Sequence, residues 1–191
     1  MNNHRARLPL SLSGKLSGKL FGLITVLLLL TGCFGNDDIA RPTPIELTND
    51  DQSYFCGMTA AGHPGPKAQI HILGREVPIW FAAARDAVGF IKLPDESNEV
   101  LAVYVTDMGK ANWLSPEAGP WIDIKEAEIV IESTKRGGMG APAVVPFADK
   151  TAAQKFIDQH GGRIVSLDEI PVDYVLGMVE IPDNPEITPA Y

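Results

Sequence analysis

The sequence predicts an α+β fold in which two homologous ββαβ units pack together, after an export signal and a flexible tether. Two observations predict it. The order strand–strand–helix–strand occurs twice along the chain, and the two helical segments match each other at an offset of 66 residues. One small unit of this kind cannot bury both faces of its sheet and helix, whereas two units packed together bury them better.

Residues 1–32 have the pattern of an export signal. They contain four basic residues and no acidic one, then an apolar run over residues 20–30 and a Thr-Gly pair. Such a pattern is typical of a signal peptide, and the apolar run is too short to cross about 30 Å of hydrocarbon comfortably. Cys33 follows directly and is the expected lipidation site of a bacterial lipoprotein. The alternative is an uncleaved anchor helix.

The remaining chain divides into a tether, two domains and a tail. Residues 33–53 are rich in Pro, Asp and Asn and are expected to form a lipidated flexible tether, with order beginning near Tyr54. We expect the first ββαβ domain over residues 54–110, the second over 111–180, and a C-terminal tail over 181–191.

In the first half, strands are predicted over residues 69–73 and 77–80, on either side of a Gly-Arg turn. Residues 81–91 place apolar side chains at helical spacing, and their alanines favour a helix. A run of β-branched and aromatic residues predicts a third strand over 100–105. This half therefore has the order ββαβ.

The second half repeats that order. Strands are predicted over residues 127–133, 143–145 and 163–166, and a helix over 147–157 that a Gly-Gly pair closes. The aligned helical positions are Phe81 with Phe147, Ala82 with Ala148, Ala87 with Ala153, Phe90 with Phe156, and Ile91 with Ile157. Trp113 and Trp121 fall in the connection between the halves, where they are expected to pack.

The mature chain is strongly acidic. Removal of residues 1–32 leaves 12 basic and 24 acidic residues. This balance argues against nucleic acid or an anionic membrane surface as a partner. It suits attraction of a cation, and it is equally compatible with an ordinary exported protein.

Cys56 is the only thiol that would stay free in the mature chain. If Cys33 is acylated, Cys56 has no disulfide partner within the chain, which is unusual for an exported protein. Met58 stands two residues away. A thiolate and a thioether are soft ligands that favour Cu(I) over harder divalent ions. The alternative is that Cys56 is a buried, inert residue.

Met139 and His63 are further candidates for such a site. Met139 lies within residues 135–142, where glycines and a proline predict a loop with little intrinsic order. Its thioether could close over a metal, or it could fill a gap between the two halves. His63 could supply a nitrogen ligand or form ordinary hydrogen bonds. His71 and His160 are expected to be structural.

No motif supports an enzyme. A structural zinc site needs about four Cys or His donors, and a cysteine nucleophile needs an oriented histidine base. Neither pattern is present, and no glycine-rich stretch ends as a phosphate-binding loop does. We therefore expect no catalytic residues and no enzymatic activity.

Several motifs together resemble the NosL family, accessory lipoproteins of nitrous oxide reductase maturation. They are the lipobox cysteine, Cys-Gly-Met at 56–58, His-Pro-Gly-Pro-Lys at 63–67, and Gly-Gly-Met-Gly-Ala-Pro at 137–142 leading to Pro-Phe at 146–147. The resemblance spans residues 33–177. It implies a pair of homologous ββαβ domains, a topology shared with organomercurial lyase.

The resemblance also implies a function. Such a protein would be a periplasm-facing Cu(I) chaperone that passes copper, with a membrane transporter-type assembly complex, to the copper centres of nitrous oxide reductase. Cys56 and Met58 match the family's Cys-x-Met pair, Met139 its glycine-rich-loop methionine, and His63 a recurrent histidine. A few soft ligands under a mobile lid suit metal exchange better than a closed cage does.

Other interpretations stay open at this stage. They are a thiol-dependent enzyme related to the organomercurial-lyase fold, and an interaction lipoprotein that transfers no copper. Copper could be held by one chain or bridge two chains in a homodimer, and water, His63 or a partner could complete its coordination. Anchoring is expected through Cys33, and Phe34 after it favours the outer membrane by resemblance to sorted lipoproteins.

Overall fold

The strand–strand–helix–strand order occurs in both halves of the computed structural model, which describes residues 41–94, 99–116 and 119–179. The predicted α+β fold class is confirmed. The predicted signal peptide, the lipidation site Cys33 and the C-terminal tail lie outside the described residues. The strands are β1 (Ala68–Ile72), β2 (Ile79–Phe81), β3 (Val100–Thr106), β4 (Trp121–Asp123), β5 (Glu128–Ile131), β6 (Val145–Phe147) and β7 (Arg163–Val165), and the helices are α1 (Ala84–Lys92), α2 (Lys150–His160) and α3 (Val172–Leu176).

The first sheet has four antiparallel strands in the order β2-β1-β3-β4. Alternation along β1 places Ala68 and Ile70 in the hydrophobic core, while Gln69 and His71 face the other side of the sheet. Strand β4 was not predicted. It lies within the range expected for the second domain, yet it pairs with β3, so the two sheets divide between Asp123 and Glu128.

The second sheet has three antiparallel strands in the order β6-β5-β7. It is covered on both faces. Ile129 and Ile131 of β5 belong to the main core, whereas Val130 packs in a second cluster with residues of α2, including Ala153 and Phe156. The offset of 66 residues is kept in the structure, because β2 and β6, and the starts of α1 and α2, are separated by that number.

The main core lies around α1 and takes side chains from both sheets. Its largest fully buried aromatic residues are Phe81 and Phe90, and the second half contributes Ile124, Ile129 and Val165. Burial of one such side chain stabilises the fold by roughly 1.5–3 kcal/mol. The two ββαβ units therefore share one core. This agrees with the expectation that one unit is too small to bury both faces of its sheet and helix.

Both long helices begin three residues later than the sequence pattern indicates. Phe81 and Phe147 end strands β2 and β6, and the apolar run of each strand continues into the apolar face of the helix. The short helix α3 was not predicted; its Val175 joins the main core. None of the helices within the described ranges has the length and apolar character needed to cross a bilayer.

Residues 41–53, which the sequence assigns to the tether, contact the first sheet, so order begins before Tyr54. The backbone of Ile45 forms two hydrogen bonds with the side-chain amide of Gln69, at 3.0 and 2.9 Å. Tyr104 Oη donates to the carbonyl of Pro42 at 2.6 Å. The outer face of the sheet carries the buried polar groups Gln69 and His71, which need partners away from water. Residues 41–45 supply part of that cover.

Candidate metal site

Cys56 lies at the exposed end of a closed loop formed by residues 52–59. Gln52 and Thr59 pair across the base of this loop, and the amide of Ser53 donates to the carbonyl of Met58 at 2.8 Å. Gly57 has a φ of 67°, a left-handed conformation that glycine adopts without strain. The turn leaves Cys56 exposed with a free thiol and Met58 43 % exposed.

Ser53 fixes the Cys56 loop to the end of strand β2. The buried hydroxyl of Ser53 accepts a hydrogen bond from the amide of Ala82 at 3.1 Å, and the amide of Tyr54 donates to Trp80 at 2.8 Å. The rings of Tyr54 and Phe55 add apolar contacts, with centroid distances of 5.4 Å to Phe90 and 5.5 Å to Phe81, respectively. The loop is therefore bound to the core at its base while its tip remains in solvent.

A second loop, residues 62–66, carries His63 and is organised by Lys67. This lysine is 0 % exposed, and its Nζ donates to the carbonyls of Gly65 and Ala82 at 3.1 and 3.0 Å and also to that of His63. Burial of a charge is unfavourable unless it is well hydrogen-bonded. In the sequence, Lys67 stands out only as part of the His-Pro-Gly-Pro-Lys motif. Its position directly before the buried strand β1 is the signal that indicates a structural role.

The third loop contains Met139 and is more ordered than its composition predicts. Gly137 and Gly140 form backbone hydrogen bonds within the turn, and Arg136 Nη1 donates to the carbonyl of Gly140 at 2.7 Å. The amide of Gly138 donates to Pro64 at 3.0 Å. A Cβ added to Gly138 would lie 2.7 Å from His63 Cβ, so only glycine allows this approach.

The structure thus places His63 directly beside the Met139 loop. The loop that carries Cys56 and Met58 is joined to the His63 loop through Ala82. His63 is partly exposed, and Met139 is 52 % exposed. Within residues 41–94, 99–116 and 119–179, no group of three or more His, Cys, Asp or Glu could hold a metal ion. The donors available to a metal here are a free thiol and exposed thioethers, which suit a soft ion rather than zinc or calcium.

The other candidate donors are occupied elsewhere or stand apart. His71 Nε2 lies 3.0 Å from Gln69 Oε1, and burial lowers the pKa of His71. His160 packs on Phe156 with ring centroids 4.7 Å apart. Met108 packs in the second hydrophobic cluster, whereas Met178 is fully exposed. Both histidines therefore have the structural roles that the sequence predicts.

These features define a class of protein: a small α+β protein that carries a free thiol and exposed thioethers on hydrogen-bonded loops. The family model NosL matches residues 44–175. The chain belongs to the NosL family.

Curated relatives and a solved structure agree with this membership. The chain is 38 % identical over 162 residues to the copper-binding lipoprotein NosL of Achromobacter cycloclastes, with 83 % of each chain covered. It is 32 % identical to the protein of that name from Stutzerimonas stutzeri, with 78 % of each covered. The crystal structure of the copper chaperone NosL from Shewanella denitrificans matches with a TM-score of 0.63 and 30 % identity, covering 69 % of this chain and 96 % of that one.

Proposed function

We propose that this protein is a Cu(I)-binding metallochaperone lipoprotein that delivers copper for assembly of the copper centres of nitrous oxide reductase. The observation that carries the proposal is the free, exposed thiol of Cys56 on one closed loop with Met58. Two curated relatives that match most of this chain are named copper-binding lipoproteins, and these names support the proposal of copper binding.

In this proposal, Cys56 supplies the charged ligand and Met58 and Met139 supply neutral thioethers. Thiolate and thioether ligands select Cu(I) in preference to harder ions. His63 is the proposed nitrogen donor, since its loop contacts the Met139 loop through Gly138 and Pro64. The exposure of Cys56, Met58 and Met139 leaves room for a ligand from a partner protein to attack the metal.

Delivery requires a position close to the recipient. We place the protein in the periplasm-facing envelope, anchored through lipidated Cys33 with the outer membrane favoured, where it works with a membrane transporter-type assembly complex. It acts as a carrier rather than as an enzyme. The names of the relatives, copper-binding lipoproteins, support the anchored location.

Competition between the protein and a Cu(I) chelator under reducing conditions tests copper binding. We expect wild type to withdraw copper from the chelator and Cys56→Ala to lose most of that ability. Met139→Leu should weaken binding less than Cys56→Ala, because a neutral thioether contributes less than a thiolate. Met178→Leu, at a fully exposed methionine, is the matched control and should bind as wild type does. Equal, weak binding by wild type and Cys56→Ala would refute the proposal.

Delivery has a test of its own. In cells that depend on this protein for an active nitrous oxide reductase, Cys56→Ala should lower the copper content of the purified reductase, and Met178→Leu should leave it unchanged. A fully copper-loaded reductase in the presence of Cys56→Ala would refute delivery while leaving copper binding intact.

A further inference from the structure

A groove that is partly open to solvent lies between the start of helix α1 and the Met139 loop. Its lining includes Pro66, Arg85, Asp86, Met139, Pro142 and Val144. Small-molecule sites are mostly apolar with a few polar groups, and the lining of this groove has that composition. The groove touches one proposed copper ligand, and most of its lining belongs to no part of the copper site.

Arg85 is the charged donor of this groove. Its side chain is only 5 % exposed, and its Nη1 has no hydrogen-bond partner among the residues that the structure describes. The guanidinium carbon lies 5.9 Å from the centre of the Tyr174 ring, a contact that satisfies no N–H group. Burial lowers the pKa of Arg85, yet a guanidinium remains charged in proteins. A buried charged donor without an acceptor is unfavourable, so an acceptor in the groove would stabilise it.

The start of helix α1 also favours a negatively charged hydrogen-bond acceptor. Its N-cap, Ala83, has no side chain that can accept a hydrogen bond from the first turn. The equivalent residue of the second repeat, Asp149, caps helix α2 by accepting from the amide of Ala152 at 3.0 Å. The first turn of a helix carries a partial positive charge that attracts anions. The amide of Ala84 already donates to the carbonyl of Pro66 at 2.7 Å. An anion between Arg85 and the start of α1 would therefore be attracted by the charge of Arg85 and by the partial positive charge of the helix.

The remaining lining restricts which anion fits. Asp86 also lines the groove. Its carboxylate would repel a ligand with two negative charges more strongly than a ligand with one. Met139, Pro142 and Val144 offer apolar contacts to the body of a ligand. We propose that this groove binds a small organic monocarboxylate, with its carboxylate on Arg85 and its apolar part against Met139 and Pro142. This binding needs no copper and stands apart from the proposed delivery function.

Titration of the copper-free protein with isovalerate, followed through backbone amide signals in ¹H–¹⁵N NMR spectra, tests the proposal. We expect saturable shifts confined to residues 83–86 and 137–144. Arg85→Gln should weaken binding about tenfold or more, since a charge-assisted hydrogen bond is lost, and Arg85→Lys should retain part of it. Arg75→Gln, at an exposed turn, is the control and should bind as wild type does.

Three results would overturn the proposal: no saturable shift in wild type, equal binding by wild type and Arg85→Gln, or tighter binding of inorganic phosphate at the same ionic strength. Arg85→Lys keeps the test decisive if Arg85→Gln does not fold. Cys56→Ala separates this proposal from the copper site, because it should lose copper and still bind isovalerate normally.

Discussion

The buried Nζ of Lys67 donates a hydrogen bond of 3.0 Å to the carbonyl oxygen of Ala82. The amide of Ala82 donates in turn to Ser53 Oγ at 3.1 Å. One backbone position at the end of β2 therefore holds both the His63 loop and the Cys56 loop. This link gives the proposed metal site a fixed base beneath its exposed donors.

Lys67→Met should destabilise the protein strongly. The change removes the ammonium that binds the carbonyls of His63, Gly65 and Ala82 in the interior. Loss of a buried, hydrogen-bonded charge is expected to lower the free energy of unfolding by roughly 2–4 kcal/mol. Urea denaturation measures this free energy. The control is Lys155→Met at an exposed lysine, which should change the free energy of unfolding by less than about 0.5 kcal/mol. Equal effects of the two changes would show that Lys67 does not organise the loop.

Gly138→Ala should weaken copper binding through the contact between two loops. The added Cβ would lie 2.7 Å from His63 Cβ, so the loops must separate. Overpacking of this kind typically costs about 1–3 kcal/mol of stability. Gly137→Ala is the matched control, since its Cβ would meet its nearest atom at 3.8 Å. Thermal unfolding and Cu(I) competition should both separate the two variants, and identical behaviour would argue against the close approach.

Gln69→Leu should release residues 41–47 from the first sheet. The side-chain amide of Gln69 binds both the N–H and the carbonyl of Ile45. We expect the amide of Ile45 to exchange with solvent about tenfold faster in this variant, because local opening then breaks fewer hydrogen bonds. Hydrogen exchange measured by NMR checks this, with the exposed Gln154→Leu as control. Unchanged exchange in Gln69→Leu would mean that other contacts hold this segment.

Arg163→Gln should raise the pKa of Glu132. Arg163 donates to both carboxylate oxygens of Glu132, at 3.0 and 3.1 Å, and this hydrogen bonding lowers the pKa of Glu132. The folded pKa lies below the unfolded one, so the stabilisation is present above the unfolded pKa and is lost as pH falls through the folded pKa. A ¹³C NMR titration of the Glu132 carboxyl checks the shift. The same pKa in both proteins would show that the pair does not persist in solution.

The sequence predicted the repeat well because helical periodicity and strand composition are local signals. The offset between Phe81 and Phe147 appears directly in the positions of β2 and β6. Strand β4 was missed because it is only three residues long and pairs with β3, a contact that no local pattern encodes. The cover provided by residues 41–45 was missed for a related reason. Its partner, Gln69, is polar within a buried strand, and only the fold shows which segment satisfies it.

For the candidate site, the sequence identified donor types better than their setting. Cys56 and Met58 were marked by their chemistry, and the structure leaves both exposed. The Met139 loop was expected to have little order because of its glycines. Its hydrogen bonds to neighbouring residues and to Pro64 depend on tertiary contacts that composition does not report. The assignment of Cys56, Met58 and Met139 as metal ligands remains a prediction.

X-ray absorption of the Cu(I)-loaded protein tests the central claim most directly, because it counts the sulfur atoms around copper. We predict a sulfur-dominated shell in wild type, loss of one sulfur neighbour in Met139→Leu, and an unchanged shell in Met178→Leu. Cys56→Ser should lose the thiolate and most of the bound copper. A shell of nitrogen and oxygen alone in wild type, or a shell that Cys56→Ser leaves unchanged, would contradict the proposed site.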